Sequence, residues 1–311
     1  MSIIEVKDAG KEYGGQRVVD HLNLQIGEGQ IYGLLGPNGA GKSTTIRMIC
    51  NIIRPDFGEI RIYGHDISRE FSLVQKKIGL VPQNIALYQQ YTAEENIKLF
   101  GELYGLRGAS LKRGTEKALE MTGLEQVAKK QSGTFSGGML RRLNIACALV
   151  HSPKILIMDE PTVGIDPQSR NYILEAIKAR NEEGTTIIYC SHYMEEVEAL
   201  CTMISVLDKG KEIAKGTKEE LKQQVGKNKT LLVTGGAFNE KLAECLRGVP
   251  GVLSVNVREK ELAVISREQA ENLSEIIDRI LQSGASVSDI QYSDVTLETV
   301  FLALTGKKLR D

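Results

Sequence analysis

The sequence predicts an α/β protein in which a phosphate-binding loop lies between a buried strand and a helix. Three observations support this fold class. A glycine-rich loop at residues 36–44 directly follows a short apolar run. From Thr92 to about Ala128, helical periodicity replaces the strand-like runs, which indicates a helical insertion. After residue 229 the pattern becomes β-α-β-β-α-β. We therefore predict two domains, at residues 1–225 and 226–311.

The loop fits the phosphate-loop pattern G-x-x-x-x-G-K-[ST] at every required position. Its residues are Gly36, Pro37, Asn38, Gly39, Ala40, Gly41, Lys42, Ser43 and Thr44. Glycines let backbone N–H groups turn towards a phosphate, and the N-terminus of the following helix adds partial positive charge. Lys42 would reach the β- and γ-phosphates, and the Ser43 hydroxyl would ligate Mg²⁺. The loop therefore predicts a nucleotide site.

Length and composition limit the class of protein. The chain has 311 residues, of which 41% are hydrophobic and 25% charged, a balance typical of soluble globular proteins. Its net charge of −1 argues against a broad nucleic-acid-binding surface. No apolar run is long enough to cross a bilayer, and the start shows no secretory signal. Five cysteines without paired spacing favour reduced thiols in a cytosolic protein.

The N-terminal part is predicted as strands and turns around the phosphate loop. Ile3–Lys7 alternates apolar and polar residues, and Val18–Ile26 is a second strand. Tyr13 precedes two glycines, where an aromatic ring either packs on the protein or stacks on an adenine. The helix that follows Lys42 is expected to end at about Ile53.

A helical insertion is predicted at about residues 84–135. It follows the strand Ile78–Val81, which ends just before Gln83. Thr92 and Glu95 have the spacing of a capping box at a helix start. The insertion supports the core or offers a docking surface to a partner.

Two carboxylates end the apolar run at residues 155–158, where a buried parallel strand is predicted. They are Asp159 and Glu160. The carboxyl edge of an α/β sheet is where such folds place their chemistry. Asp159 would hold Mg²⁺, directly or through water, and Glu160 would polarise the attacking water.

Three further polar features follow predicted strands or begin predicted helices. Ser136, Gly137 and Gly138 at a helix start form either an anion cradle or an ordinary N-cap. Asp166 lies in the loop after the two carboxylates. His192 follows a β-branched strand and either senses the γ-phosphate or has a structural hydrogen bond.

The C-terminal part begins after a predicted linker at residues 226–229. Strands are predicted at Thr230–Thr234, Val252–Arg258, Leu262–Ser266 and Ser286–Tyr292, and helices at Asn239–Arg247, Glu268–Gln282 and Thr296–Leu304. The first six elements have the split β-α-β arrangement of ferredoxin-like domains. No catalytic constellation is evident there, so a regulatory or dimer-supporting role is expected.

The order of these motifs resembles the ATP-binding subunits of ABC transporters over about Ser2–Val225. The resemblance rests on Gly36 to Thr44 (Walker A), Gln83 (Q-loop), Ser136-Gly137-Gly138 (signature), Asp159 and Glu160 (Walker B and catalytic Glu), Asp166 (D-loop) and His192 (H-loop). Tyr13 stands where the family has its adenine-stacking aromatic residue. The closing segment Thr296–Gly306 is similar to that of daunorubicin/doxorubicin-type drug-resistance ATPases. Met139 departs from the Gln that is common in the wider superfamily.

The resemblance implies a P-loop ATPase that binds ATP and Mg²⁺. Two copies would form a head-to-tail homodimer, with each ATP between Walker A of one copy and the signature of the other. Gln83 would link the helical insertion, which contacts a membrane permease, to Mg²⁺ and water. The expected location is the cytoplasmic face of the membrane, and the expected function is export of a hydrophobic drug, antibiotic or natural product.

Two alternatives remain in view. The first is a non-transport ABC ATPase that acts on the ribosome or DNA. Such proteins usually carry two cassettes or a long coiled-coil insertion, and this chain shows neither pattern. The second is a regulatory subunit that binds ATP without hydrolysing it, against which Glu160 and His192 argue.

Overall fold

The computed structural model describes residues 2–224, 228–257, 260–267, 269–293 and 296–305. It divides into two compact units, of which the first ends at Lys215 and the second begins at Gly216.

The strands of the first unit form two sheets. Its strands are β1 (Ser2–Tyr13), β2 (Gln16–Gly27), β3 (Ile31–Leu35), β4 (Phe57–Ile62), β5 (His65–Asp66), β6 (Ile78–Val81), β7 (Ile155–Asp159), β8 (Thr186–Ser191), β9 (Met203–Asp208) and β10 (Lys211–Gly216). One sheet has the strand order β2-β1-β4-β5 and the other β10-β9-β3-β8-β7-β6. In the second sheet, β9, β3, β8, β7 and β6 are parallel neighbours. Their carboxyl ends therefore share one edge, where an α/β sheet carries its site.

The helices of this unit are α1 (Lys42–Ile49), α2 (Ile67–Val74), α3 (Ala93–Leu103), α4 (Gly108–Thr122), α5 (Gly137–Leu149), α6 (Pro167–Glu182) and α7 (Met194–Leu200). Helix α1 shares one hydrophobic core with both sheets, through residues such as Ile46 and Met48. It ends at Ile49 rather than at the predicted Ile53. The physical reason is the backbone at Asn51, whose φ of 52° is left-handed and stops the helix.

Helices α3, α4 and α5 pack together around a separate core that includes Ile97, Leu119 and Leu143. The predicted capping box is confirmed. The Thr92 N–H donates to Glu95 Oε2 at 2.8 Å, and the Glu95 N–H donates to Thr92 Oγ1 at 3.2 Å. This helical group includes α5, so the polar motif at residues 136–138 lies at the start of a helix that packs with the insertion.

The second unit has the predicted β-α-β-β-α-β order, with one helix before it and one after. Its elements are α8 (Lys218–Gln224), β11 (Asn228–Gly236), α9 (Glu240–Arg247), β12 (Val252–Val257), β13 (Glu261–Arg267), α10 (Leu273–Gln282), β14 (Ser286–Ser293) and α11 (Leu297–Thr305). The antiparallel sheet has the order β12-β13-β11-β14. The α+β prediction is confirmed.

The second unit begins at Gly216 and not at residue 226, because α8 packs against α11. Some predicted positions lie outside the described residues: the first two of the linker (226–227), the strand end Arg258, the helix start Glu268 and the closing Gly306. In the part of the chain that the structure describes, no helix has both the length and the apolarity needed to span a bilayer.

Candidate active site

The phosphate loop connects β3 to α1, as the sequence predicts. Gly39 and Gly41 have φ values of 81° and 99°, which residues with a Cβ rarely adopt. At Gly36 a Cβ would lie 2.4 Å from the Leu207 carbonyl oxygen. These glycines are therefore required for the tight turn, while Pro37, Asn38, Ala40 and Thr44 complete the loop and the first turn of α1.

Lys42 is buried within this loop, with 4% of its surface exposed. Its Nζ donates to the carbonyl oxygens of Gly36 at 2.7 Å and Pro37 at 3.1 Å. The same nitrogen lies 3.6 Å from Glu160 Oε1. The position of the Lys42 ammonium group is therefore fixed by two backbone carbonyls and one carboxylate.

Asp159 ends β7, and its Oδ1 accepts a hydrogen bond from Ser43 Oγ at 3.1 Å. A carboxylate beside a hydroxyl is an all-oxygen donor set, which suits Mg²⁺. Among the described residues, no group of three or more His, Cys, Asp or Glu could enclose a metal. Proteins usually hold Mg²⁺ by one or two carboxylates together with substrate phosphates.

The backbone at Glu160 fixes the direction of its side chain. Its φ of 49° is left-handed, and its N–H donates to the Cys190 carbonyl oxygen at 2.9 Å. A non-glycine residue in this region costs energy, and such residues cluster at active sites. Since Cys190 lies in β8, the hydrogen bond ties Glu160 to the neighbouring strand.

The Glu160 carboxylate is the meeting point of the predicted catalytic side chains. Gln83 Nε2 donates to its Oε2 at 2.9 Å. His192 Nδ1 lies 3.2 Å from its Oε1, the same oxygen that faces Lys42. Gln83 follows β6, His192 follows β8 and Lys42 begins the helix after β3. Glu160 itself follows β7, so the four side chains lie at the ends of four adjacent strands.

The predicted signature and Asp166 form a second group. Ser136 caps α5, and its Oγ accepts from the Met139 N–H at 3.3 Å. A Cβ at Gly138 would lie 2.3 Å from Ser169 Oγ and 2.8 Å from Asp166 Oδ2, so α5 and α6 approach closely here. The hydrogen bond from the Ser169 N–H lowers the Asp166 pKa. The carboxylate therefore stays ionised as the cap of α6.

Tyr13 lies outside both groups. It is the last residue of β1, with 48% of its surface exposed. Lys11 Nζ is 5.6 Å from the centre of its ring, within the range of a cation–π contact. The ring therefore presents an open face to a ligand or to solvent.

Sequence reasoning missed a buried carboxylate close to the site. Glu196 in α7 has 3% of its surface exposed, and its Oε2 accepts from Thr162 Oγ1 and Tyr189 OH, both at 2.7 Å. Arg170 Nε lies 3.3 Å from Oε1. Burial, and then the Glu196 charge, raise the pKa of Tyr189. This network connects the loop after Glu160 to α7, which begins just after His192.

Little in the sequence indicates this role for Glu196. Glu195 stands beside it with the same chemistry, and neither belongs to a recognised motif. Only the packing of α7 against β8 places one glutamate inside and leaves the other at the surface.

The sequence matches known families in two parts. A model described as ABC transporter matches residues 19–163, and one for the C-terminal domain of DrrA1-3-like ATP-binding proteins matches residues 216–305. The linearmycin resistance ATP-binding protein LnrL of Bacillus subtilis is 44% identical over 311 residues, covering 99% of this chain and 100% of that protein. The chain belongs to the family of ABC transporter ATP-binding proteins. The daunorubicin/doxorubicin resistance ATP-binding protein DrrA of Streptomyces peucetius is 36% identical, covering 99% of this chain and 94% of that protein. Both matches fall in the drug-resistance branch of the ABC ATPases.

Solved structures of ABC ATPases share the fold of this one. An ATP-binding subunit of an ABC transporter matches with a TM-score of 0.67 and 31% identity, over 72% of this chain and 94% of that chain. A dimeric cassette in a post-hydrolysis state, bound to ADP and Pi, matches with a TM-score of 0.63 and 28% identity, over 69% of this chain and 98% of that chain. The predicted family and enzyme class are confirmed: the protein is an ATP-binding ABC ATPase.

Proposed function

We propose that this ABC ATPase powers the export of a hydrophobic drug, antibiotic or natural product through separate membrane subunits, from the cytoplasmic face of the membrane. The names of its relatives support this direction. They include resistance proteins for linearmycin and daunorubicin and a Nod factor export ATP-binding protein of Cupriavidus metallidurans, which is 37% identical over 311 residues.

The observation that carries the proposal is the convergence of Gln83, His192 and Lys42 on Glu160. Glu160 acts as general base towards the attacking water, and Gln83 and His192 orient its carboxylate. Lys42 binds the phosphates of ATP. Side chains that converge on a general base are suited to ATP hydrolysis. The arrangement therefore argues against a subunit that binds ATP without hydrolysing it.

Mg²⁺ would be held by Ser43 and Asp159, with the side-chain oxygen of Gln83 as a further donor, since its nitrogen already serves Glu160. When bound, the ion would neutralise charge that develops on the phosphates. Tyr13 would stack on the adenine through its exposed face.

The second polar group suits a head-to-tail homodimer. The N-terminus of α5, with Ser136, Gly137 and Gly138, presents backbone N–H groups and a partial positive charge. Each chain carries both this cradle and a phosphate loop. Two copies would therefore enclose two ATP molecules, each between the phosphate loop of one copy and the cradle of the other. Asp166 lies against the cradle and would face the partner copy. The solved dimeric cassette supports this arrangement.

A groove beside the helical group would receive the membrane partner. It has a volume of about 300 Å³ and is lined by Cys50, Ile52, Phe71, Gln75, Lys76, Ile78, Leu80, Leu103 and Tyr104. Leu103 and Ile52 are 73% and 58% exposed and line the same groove, and clustered exposed apolar side chains mark interaction sites. An apolar cytoplasmic segment of a permease, with an acid that faces Lys76, would cover this surface.

The test is to purify the tagged full-length chain from gently solubilised membranes of its host. The expected result is a polytopic membrane protein in near-stoichiometric amount. Leu103→Glu should lose this partner, because it places a charge in the groove. Leu253→Glu is the matched control, since Leu253 is 48% exposed in the second unit. Ribosomal or DNA-bound partners without a permease would overturn the proposal and favour a non-transport ABC ATPase.

A further inference from the structure

Arg141 is a buried arginine on α5, with 6% of its surface exposed. Its two terminal nitrogens donate to successive backbone carbonyls that follow β6. Nη1 donates to Pro82 O at 3.0 Å, and Nη2 to Gln83 O at 2.8 Å. The rigid fork of a guanidinium therefore holds the main chain at Gln83 in one orientation.

Burying a guanidinium is costly, so its surroundings must compensate it. Burial lowers the pKa of Arg141, while the nearby charges of Asp159 and Glu160 raise it. An apolar side chain would fill the same space without this cost. The Arg141 guanidinium therefore lies close enough to Asp159 and Glu160 to interact with their charges.

We propose that Arg141 is a positioning residue for ATP hydrolysis. It acts through Gln83, whose side chain donates to the Glu160 carboxylate at 2.9 Å. Because α5 begins at the Ser136 cap, a single side chain connects the anion cradle to Gln83. The inference rests on the roles proposed above for Gln83 and Glu160.

Arg142 provides a matched control. Its Nη1 donates to the carbonyl oxygens of Thr122 at 3.1 Å and Gly123 at 3.3 Å, where α4 ends. Like Arg141, it joins α5 to backbone acceptors, but these acceptors lie away from Gln83. Both Arg141→Met and Arg142→Met should lower the melting temperature. Only the loss of Arg141 should slow hydrolysis specifically.

The test is a double-mutant cycle on the full-length chain, with Mg–ATP turnover as the readout. Arg141→Met should lower kcat roughly 10- to 100-fold, as misplacement of a catalytic group does, while KM for ATP stays within about twofold. Adding Arg141→Met to Gln83→Ala should cause no further loss, because both changes remove the same contribution. Arg141→Lys keeps the positive charge but offers one donor nitrogen instead of two, and it should restore part of the rate if the Met variant folds poorly.

Losses that multiply in the double variant would overturn the inference, because they would show that Arg141 acts independently of Gln83. So would a kcat for Arg141→Met close to that of the wild type, or an equal loss in Arg142→Met. If Gln83→Ala and Glu160→Gln themselves hydrolyse ATP normally, the proposed roles of those two residues fail as well. A slow Gln83→Ala beside a normal Arg141→Met overturns the inference alone.

Discussion

Replacing Glu160 by Gln tests the active site most directly. The amide keeps the size of the side chain but cannot take a proton from water. A general base contributes about 10²- to 10⁴-fold to a rate, so kcat for ATP hydrolysis should fall by that factor. Phosphate release at saturating Mg–ATP measures this loss.

The same substitution should not weaken ATP binding. Lys42 Nζ lies 3.6 Å from Glu160 Oε1. At an effective dielectric constant of about 20, the attraction over this distance is about 5 kcal/mol before the cost of desolvation. Removing this anion frees Lys42 for the phosphates, so the affinity for ATP should be retained or increased. Calorimetric titration with ATP measures the affinity, and size-exclusion chromatography with ATP should show a stable dimer.

Glu212→Gln is the control. Glu212 is a half-buried carboxylate of the same unit that accepts a hydrogen bond from the Ser205 hydroxyl, and it takes no part in the site. Its substitution should leave turnover unchanged. Turnover of Glu160→Gln within about threefold of the wild type would refute the role of Glu160 as general base. Loss of ATP binding would instead show that Glu160 maintains the phosphate loop.

Two further predictions concern Lys42 and His151. Lys42→Ala removes the cation of the phosphate loop and should weaken ATP binding at least about tenfold, since charge-assisted contacts are the strong ones; unchanged affinity in the same titration would mean that the loop does not bind phosphate as inferred. Burial lowers the pKa of His151 from 6.5 to about 4, while its hydrogen bond to the Ile78 carbonyl opposes the shift. Below pH 6.5 the unfolded chain therefore takes up a proton that the folded chain excludes, so stability should fall by about 2 kcal/mol between pH 7 and pH 5. In urea titrations His151→Gln should reduce this loss, and an identical pH dependence would contradict the assignment.

The sequence by itself determined the local chemistry. The phosphate loop, the strand that ends in Asp159 and the capping box at Thr92 depend on residues close together in the chain. Period-2 and period-3.6 patterns likewise predicted the α/β and α+β units, because they report which face of an element is buried. The order of the motifs was specific enough to indicate the family.

Only the tertiary structure decided how these pieces meet. Strand order brings Gln83, Glu160 and His192 to adjacent strand ends. In the chain, Gln83 is 77 residues and His192 is 32 residues away from Glu160. Packing buries Glu196. It also places the Arg141 guanidinium against the carbonyls of Gln83 and Pro82, which are 58 and 59 residues away in the chain. Such choices rest on burial and on hydrogen bonds between distant segments. No periodicity or spacing along a single chain encodes them, because the energy of each contact exists only after the core has formed.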